Sequence, residues 1–405
     1  MSTRLQLLSP AIIVAALGYF VDAYDLILFL VLKNRSLVDI GINSAQLLET
    51  GAHLLNYQMI GLLLGGLVWG VLGDKVGRTR VLFGSIIIYS LANIANAFVT
   101  NISTYAGLRF IAGFGLAGEL GAGITLVAEI LPKHLRGYGT TLVASVGVLG
   151  AALAGITGEV LPWRTSYIVG GILGLALLTL RVSVKDSEIF DSAKRNSVPR
   201  GNLAVIVSSP ARLGRYLTYI TLGLPTWYVV GILVANATAI SEHLGVITPP
   251  KPGWCIAVTY LGLFVGDATS GLLSQRLRSR KQPIAFFTAA GSVTTILFLS
   301  HHGVSVHYLY FYYFLLGTFG GYWILLLTSA TERFGTNIRA TVTTTIPNFI
   351  RGAVVPMNAI FLSLRDGWGI INAALFVGLG ASAFAALSLM LIKETFYDDL
   401  HFIDE

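Results

Sequence analysis

The chain has little charge and almost no cysteine. Asp, Glu, Lys and Arg make up 12% of its 405 residues, about half the share usual in soluble domains, so a water-soluble globular protein is excluded. A single cysteine, Cys255, rules out a disulfide framework and leaves that side chain a small packing role. No Gly-x-x-x-x-Gly-Lys-(Ser/Thr) run occurs, which removes support for ATP-driven work. Metal-ligand spacing, a nucleotide loop and a nucleophile–base constellation are equally missing. We therefore expect no enzyme, no metal and no cofactor. His301 and His302, in a loop, are read as solvated.

Apolar residues are plentiful: 54% of the chain, with a mean hydropathy of +0.74. Stretches long enough to cross a bilayer, about 20 residues each, recur along the whole length. They predict an all-α integral membrane protein with twelve helices near 8–33, 53–73, 79–99, 103–131, 137–160, 164–184, 214–243, 253–275, 283–300, 304–332, 338–363 and 368–393. The first span is too long and too acidic for a cleaved signal peptide and is kept as helix 1.

Net charge is +7, but its distribution excludes a nucleic-acid partner. Twenty of the 27 Lys and Arg fall at the N-terminus, in the even-to-odd loops and at the C-terminal end. Only Lys33, Arg35, Arg164, Lys251 and Arg365 lie on the other side. The positive-inside rule then puts both termini in the cytoplasm, with the inner membrane as the expected location.

Residues 185–213 interrupt the hydrophobicity with seven charges between Lys185 and Arg200. This predicts an N-terminal six-helix bundle (1–184), a cytoplasmic linker (185–213) and a C-terminal six-helix bundle (214–405). A self-comparison agrees. Helix 4 ends with Glu129 and Arg136, helix 10 with Glu332 and Arg339, the same spacing repeated 203 residues later. At that offset Gly118 meets Gly321, and Thr140 and Thr141 meet Thr343 and Thr344. Two similar six-helix halves are expected from this duplication.

Ionisable groups near the bilayer centre cost at least ~2.5–3.5 kcal/mol and are functional candidates by default. Asp22 and Asp25 in helix 1, Arg109 and Glu119 in helix 4 and Arg351 in helix 11 qualify. Two carboxylates and a movable arginine suit proton coupling, because the proton affinity of a buried acid changes as a cation approaches. The alternative for Asp25 and Arg109 is a permanent ion pair joining helices 1 and 4. Arg351, three residues after Asn348, has the guanidinium fork that grips a carboxylate or phosphate; the alternative is that it neutralises an acid. Tyr24, Gln58, Trp227, Tyr228 and Tyr322 are candidates to line the same cavity. Asp267 is read as part of a latch near the cytoplasmic end of helix 8. Asp74, Arg78, Glu129, Arg136, Glu332 and Arg339 form a candidate cytoplasmic gate of exposed ion pairs, each contributing about 1 kcal/mol or less.

The loop Gly70-Val-Leu-Gly73-Asp74-Lys75-Val-Gly77-Arg78-Thr79-Arg80 resembles the helix 2–3 signature of the major facilitator superfamily, Gly-x-x-x-Asp-(Arg/Lys)-x-Gly-Arg-x-Arg. In the second half, Gln275-Arg276-Leu-Arg278-Ser-Arg280-Lys281 keeps the cations, while the aspartate is missing or displaced to Asp267. Gly18-Tyr-Phe-Val-Asp22-Ala-Tyr-Asp25-Leu is similar to helix 1 of phosphate–proton symporters and to the Asp-Gly-(Phe/Tyr)-Asp pattern of aromatic-acid and sialic-acid proton symporters. Arg109-Phe-Ile-Ala-Gly113-Phe-Gly115 resembles the helix 4 signature, whose arginine is associated with proton coupling. Gly118-Glu119-Leu-Gly121 and Pro132-Lys-His-Leu-Arg136 are most similar to the sialic-acid and organic-acid branch. The phosphate branch has Asp where Glu119 stands, an aspartate where Gly231 stands, and lysine where Arg351 stands.

The resemblance implies the major facilitator fold and a secondary transporter that imports a small organic anion with protons by alternating access, working as a monomer in the bilayer. Inorganic phosphate–proton symport is the second reading. A proton-driven drug exporter is a third, against which Arg351 counts by repelling a cationic cargo. A non-transporting receptor has little use for mid-membrane charges.

Overall fold

The computed structural model describes residues 9–181 and 204–398, without the side chains of Ala45, Arg78, Lys133, His134 and Arg181. Those residues form helices and connecting turns, with no strand among them. The spans are α1 (Pro10–Asp39), α2 (Leu47–Val76), α3 (Arg78–Asn96), α4 (Ile102–Leu116 and Glu119–Ile130), α5 (Lys133–Val160) and α6 (Trp163–Arg181). The second half begins with α7 (Pro210–Leu222, Leu224–Tyr228, the π-turn Val229–Val234 and Ala237–His243), α8 (Pro252–Leu277) and α9 (Lys281–Ser300). It continues with α10 (Val306–Gly320 and Trp323–Arg333), α11 (Arg339–Gly352 and Val354–Trp368) and α12 (Ile370–Leu391).

Proline opens α1, α7 and α8, where its missing N–H has no helical partner to lose. Ten of these spans are long and apolar enough to cross a bilayer. The other two are α3 and α11, and α11 has a structural reason. Its first segment, threonine-rich and closed by Arg351 and Gly352, is buried between the two halves and needs no lipid-facing apolar surface. The result is the twelve-span architecture expected from the sequence, with several edges shifted by a few residues. Helix α1 continues past 33 to Asp39, and α7 starts at Pro210, inside the stretch assigned to the linker. The remainder of that linker, 185–203, lies outside the described residues.

In lipid, helices gain little from burying apolar surface, so close approach of small residues decides their crossings. In the first half Gly61 of α2 faces the Phe110 carbonyl of α4, and Gly113 of α4 faces that of Gln58; a Cβ at either would fall 2.2 or 2.1 Å from the oxygen. The second half repeats this between α8 and α10, with Gly262 on the Phe314 carbonyl and Gly317 on that of Thr259. Gly65 and Gly266 take the next step, against the carbonyls of Phe114 and Thr318.

The two spans in this crossing from each half, α4 and α10, are both broken at mid-length, after Leu116 and after Gly320. The breaks correspond at a spacing of 204 residues (116 to 320, 119 to 323), so Ala117, rather than Gly118, is the structural mate of Gly321. The Glu/Arg pattern further along keeps the spacing of 203 because the second segment of α10 is one residue shorter.

Candidate functional site

The cation distribution distinguishes an inner from an outer face. At the inner face, Glu129 of α4 pairs with Arg339 of α11 at 3.4 Å, and Arg136 of α5 approaches Glu332 of α10 to 3.7 Å. Each pair joins the two halves, and each is the other's repeat mate. One turn deeper, the hydroxyls of Thr125 and Thr343 meet at 2.5 Å, and Thr328 donates to Thr140 at 3.0 Å, mates at the same offset. Asp74 caps the start of α11, accepting from the backbone N–H groups of Ala340 and Thr341 at 3.1 and 2.8 Å and from the Thr341 hydroxyl at 2.7 Å. In the second half Gln275 takes the equivalent place, its side chain pressed on Gly137.

These positions bring together the expected gate residues with one change of character. The pairs are buried, Glu129 at 7% exposure and Arg339 at 0%, whereas exposed pairs were expected. Helix ends carrying Gly and Thr approach closely enough to exclude water from them. Glu332 also holds Arg280, through contacts of 2.8 and 3.2 Å, a partner the sequence did not single out. The Arg78 side chain lies outside the described residues.

At the centre, Asp22 of α1 lies 3.8 Å from Arg351 of α11, an acid of one half facing a guanidinium of the other. Arg351 also donates to the Asn348 amide oxygen at 3.3 Å and stands over the Trp227 ring at 5.5 Å. Its Nε has no hydrogen-bond partner among the described residues. Asn348 is in turn fixed by the carbonyls of Ala117 and Thr344, both at 2.8 Å. Pro347 and the break after Gly352 end the regular ladder here, and the π-turn of α7 adjoins Trp227.

Arg351 and Trp227 line a central cavity with Tyr19, Ala23, Tyr260 and Trp323. Its volume is about 20 Å³, room for about one water molecule. Above it, Lys33 donates to the Ala235 carbonyl at 2.8 Å and the Gly253 N–H to Glu159 at 2.9 Å. Both bonds join the halves, so contacts close the cavity towards the outer face as well as the inner one.

Asp25 and Arg109 form a second cluster. No ion pair within 4 Å joins them among the described residues, contrary to the pairing weighed from their depth. Arg109 is instead held by the amide oxygens of Asn93 and Asn96 of α3, at 2.8 and 3.2 Å, and stands 4.9 Å from the Tyr167 ring centre. Neither Asp25 oxygen has a hydrogen-bond partner among the described residues, and neither has Arg109 Nη1. Glu119 is buried and opens the second segment of α4, where the helix dipole favours a carboxylate.

Several expected cavity residues are placed elsewhere, because helix rotation turns their polar tips into their own half. The Tyr24 hydroxyl donates to the Ser166 carbonyl, Tyr228 to Ala374 and Tyr322 to Leu222. The Gln58 amide donates to the Leu26 carbonyl at 3.1 Å and joins α2 to α1. Asp267 is not a cytoplasmic latch: it accepts from the Ile324 N–H at 3.3 Å, at the break of α10. Tyr19, Tyr260 and Trp323 went unnoticed as cavity residues, since aromatic residues in spans are ordinary. Asn93 and Asn96 did leave a signal, two amides three residues apart in an apolar helix.

Comparison with known proteins gives the same architecture. The solved structure of a proton:xylose symporter superposes with a TM-score of 0.73 at 14% identity, covering 95% of this chain and 96% of that one. That likeness concerns the fold alone. A sialic acid transporter of Escherichia coli is 26% identical over 71% of this chain and 69% of its own. A gentisate transporter of Corynebacterium glutamicum is 24% identical over 95% of this chain and 87% of its own. The family model described as the Major Facilitator Superfamily matches residues 10–355. The chain is thus a multi-pass membrane transporter rather than an enzyme, and it belongs to the major facilitator superfamily.

Proposed function

We propose that this protein imports a small organic anion, an aromatic or sugar-type carboxylate, together with protons by alternating access across the cytoplasmic membrane. The observation that carries the reading is the 3.8 Å approach of Asp22 to Arg351 across the two halves. A substrate carboxylate and the Asp22 carboxylate compete for one guanidinium. Protonating Asp22 removes its negative charge and leaves the Arg351 fork free to hold the substrate through paired charge-assisted bonds. Releasing the anion returns Asp22 to Arg351, so proton and substrate occupancy are linked through one side chain.

Asp25, Arg109 and Glu119 complete the proton path in this proposal. Among the described residues, Asp25 and Arg109 both keep polar atoms without hydrogen bonds, an arrangement suited to a pair that closes and opens during the cycle. The gate pairs and the Asp74 cap hold the inner side shut until the halves rock apart. All of these groups come from one chain, and we take the monomer as the working unit, with both termini in the cytoplasm.

The cavity wall supports an organic rather than an inorganic anion. Trp227, Tyr19, Tyr260 and Trp323 present apolar faces around a single cation, where phosphate needs more donors. The gentisate and sialic acid relatives are named for carboxylate substrates. The test is uptake by proteoliposomes of radiolabelled aromatic and sugar acids under an inward proton gradient. Accumulation abolished by a protonophore is the expected result. Uptake indifferent to the gradient would remove the coupling, and phosphate uptake without carboxylate uptake would change the substrate.

A further inference from the structure

A second cavity is much larger than the central one. A pocket of about 340 Å³ opens at the inner face of the second half, between the ends of α7, α10 and α12. Such a volume suits a ligand group. Three cations line it: Arg215 of α7, Arg333 of α10 and Lys393 just past α12. Among the described residues no acid lies in its wall, although Asp398 reaches Arg333 at 3.6 Å from the rim. Arg215 is set in place by its bond to the Arg333 carbonyl at 2.7 Å and by the Phe334 ring at 4.8 Å. Thr218 and the buried Tyr219 add hydroxyls to the wall.

The neighbouring surface is apolar. Leu217 on α7 and Leu387, Met390 and Leu391 on α12 are exposed, the last three at 59%, 78% and 71%. Cations at the inner ends of α7 and α10 and just past α12, beside exposed aliphatic side chains, match an amphiphile with a phosphate head, not a freely soluble anion. Basic pockets between spans on the inner side are suited to acidic lipid headgroups.

We propose that this pocket binds the phosphate headgroup of an anionic diacyl phospholipid of the inner leaflet, with its acyl chains lying along α7 and α12. The site is independent of the transport site. Its wall nevertheless connects to the gate. The Tyr219 hydroxyl bonds Ser329 at 2.7 Å, Ser329 bonds Thr395 at 3.0 Å, and Thr395 donates to Glu332 at 2.9 Å. Lipid bound here stiffens the segment that holds the gate glutamate.

The experiment is native mass spectrometry of protein taken from nanodiscs with equal amounts of phosphatidylglycerol and phosphatidylcholine. Lys393→Gln is the main variant because Lys393 is exposed and its loss leaves the fold intact. Lys393→Gln with Arg215→Gln is the second, and Arg365→Gln, on the outer side, is the control. The expected result is selective retention of phosphatidylglycerol, reduced about fivefold by Lys393→Gln and further by the double variant, with the control unchanged. Equal retention of both lipids, or retention untouched by Lys393→Gln, would overturn the site. Displacement of the lipid by millimolar inorganic phosphate or benzoate would overturn the lipid assignment in favour of a small-anion site.

Discussion

Arg339 in the second half and Glu129 in the first lie 3.4 Å apart, both withdrawn from solvent. Arg136 and Glu332 repeat the relation with the halves exchanged. Internal duplication thus builds the inner closure from a single pattern used twice, and under the proposed alternating access both copies break together.

Removing one partner of a buried ion pair costs about 3–5 kcal/mol, because the other charge stays behind in low dielectric. Glu129→Gln should therefore lower the thermal midpoint by several degrees in detergent. It should also raise the labelling of a cysteine placed at Thr343, at the Thr125 contact, by an impermeant reagent applied from the inner face. Exchanging the charges, Glu129→Arg with Arg339→Glu, should recover part of both effects. Unchanged labelling in Glu129→Gln would show that the pair does not close the inner side.

Arg109 depends on its guanidinium shape. Two asparagines accept from two different nitrogens, and the Tyr167 ring stands against the planar group. Lysine retains the charge but neither the fork nor the stacking. Arg109→Lys should cut proton-driven uptake at least about tenfold while substrate binding by thermal shift persists. Full uptake in this variant would reduce Arg109 to a point charge.

The glycine crossings predict a sharp contrast within one helix. Gly113→Ala would place a methyl 2.1 Å from the Gln58 carbonyl, whereas Gly107 has nothing within 4 Å. Overpacking costs about 1–3 kcal/mol, so Gly113→Ala should melt lower and Gly107→Ala should not. Equal midpoints would mean that α2 and α4 separate easily.

Glu394, beyond the end of α12, gives a pH dependence. Burial pushes its carboxyl up, but bonds from the Arg280 N–H at 2.8 Å, the Ser279 hydroxyl and the Phe396 and Lys281 N–H groups outweigh that and hold it below the usual glutamate value. A lowered carboxyl contributes stability above its unfolded pKa, and the contribution disappears as pH falls through the folded one. Wild type should be more stable than Glu394→Gln at pH 7, with the gap closing towards pH 4. A gap independent of pH would mean that the carboxylate charge is not involved.

Span number, the repeated Glu/Arg motif and the stranded charges were legible in the sequence, because charge stands out against an apolar background. Pairing was not. Asp22 and Asp25 sit one turn apart, yet the first meets Arg351 in the other half and the second faces α3 and α6, a distinction made by the packing of halves. Tyr24, Tyr228 and Tyr322 were misplaced for a related reason: a tyrosine in a span reveals its depth, but helix rotation decides where its hydroxyl points. The glycine crossings are not visible at the 203-residue offset, because α2 and α8 correspond at 201 residues and the helix breaks at 204. Gln275 was overlooked as the mate of Asp74 because an amide there carries no charge.

The central claim is that Asp22 and the substrate share Arg351, and paired assays on Asp22→Asn and Arg351→Ala test it most directly. Asparagine mimics protonated Asp22, so that variant should exchange labelled carboxylate across proteoliposomes at equilibrium yet fail to accumulate it under a proton gradient. Arg351→Ala should lose binding by about ten- to a hundredfold, the worth of a charge-assisted bond. Gradient-driven accumulation by Asp22→Asn, or unaltered affinity in Arg351→Ala, would contradict the account.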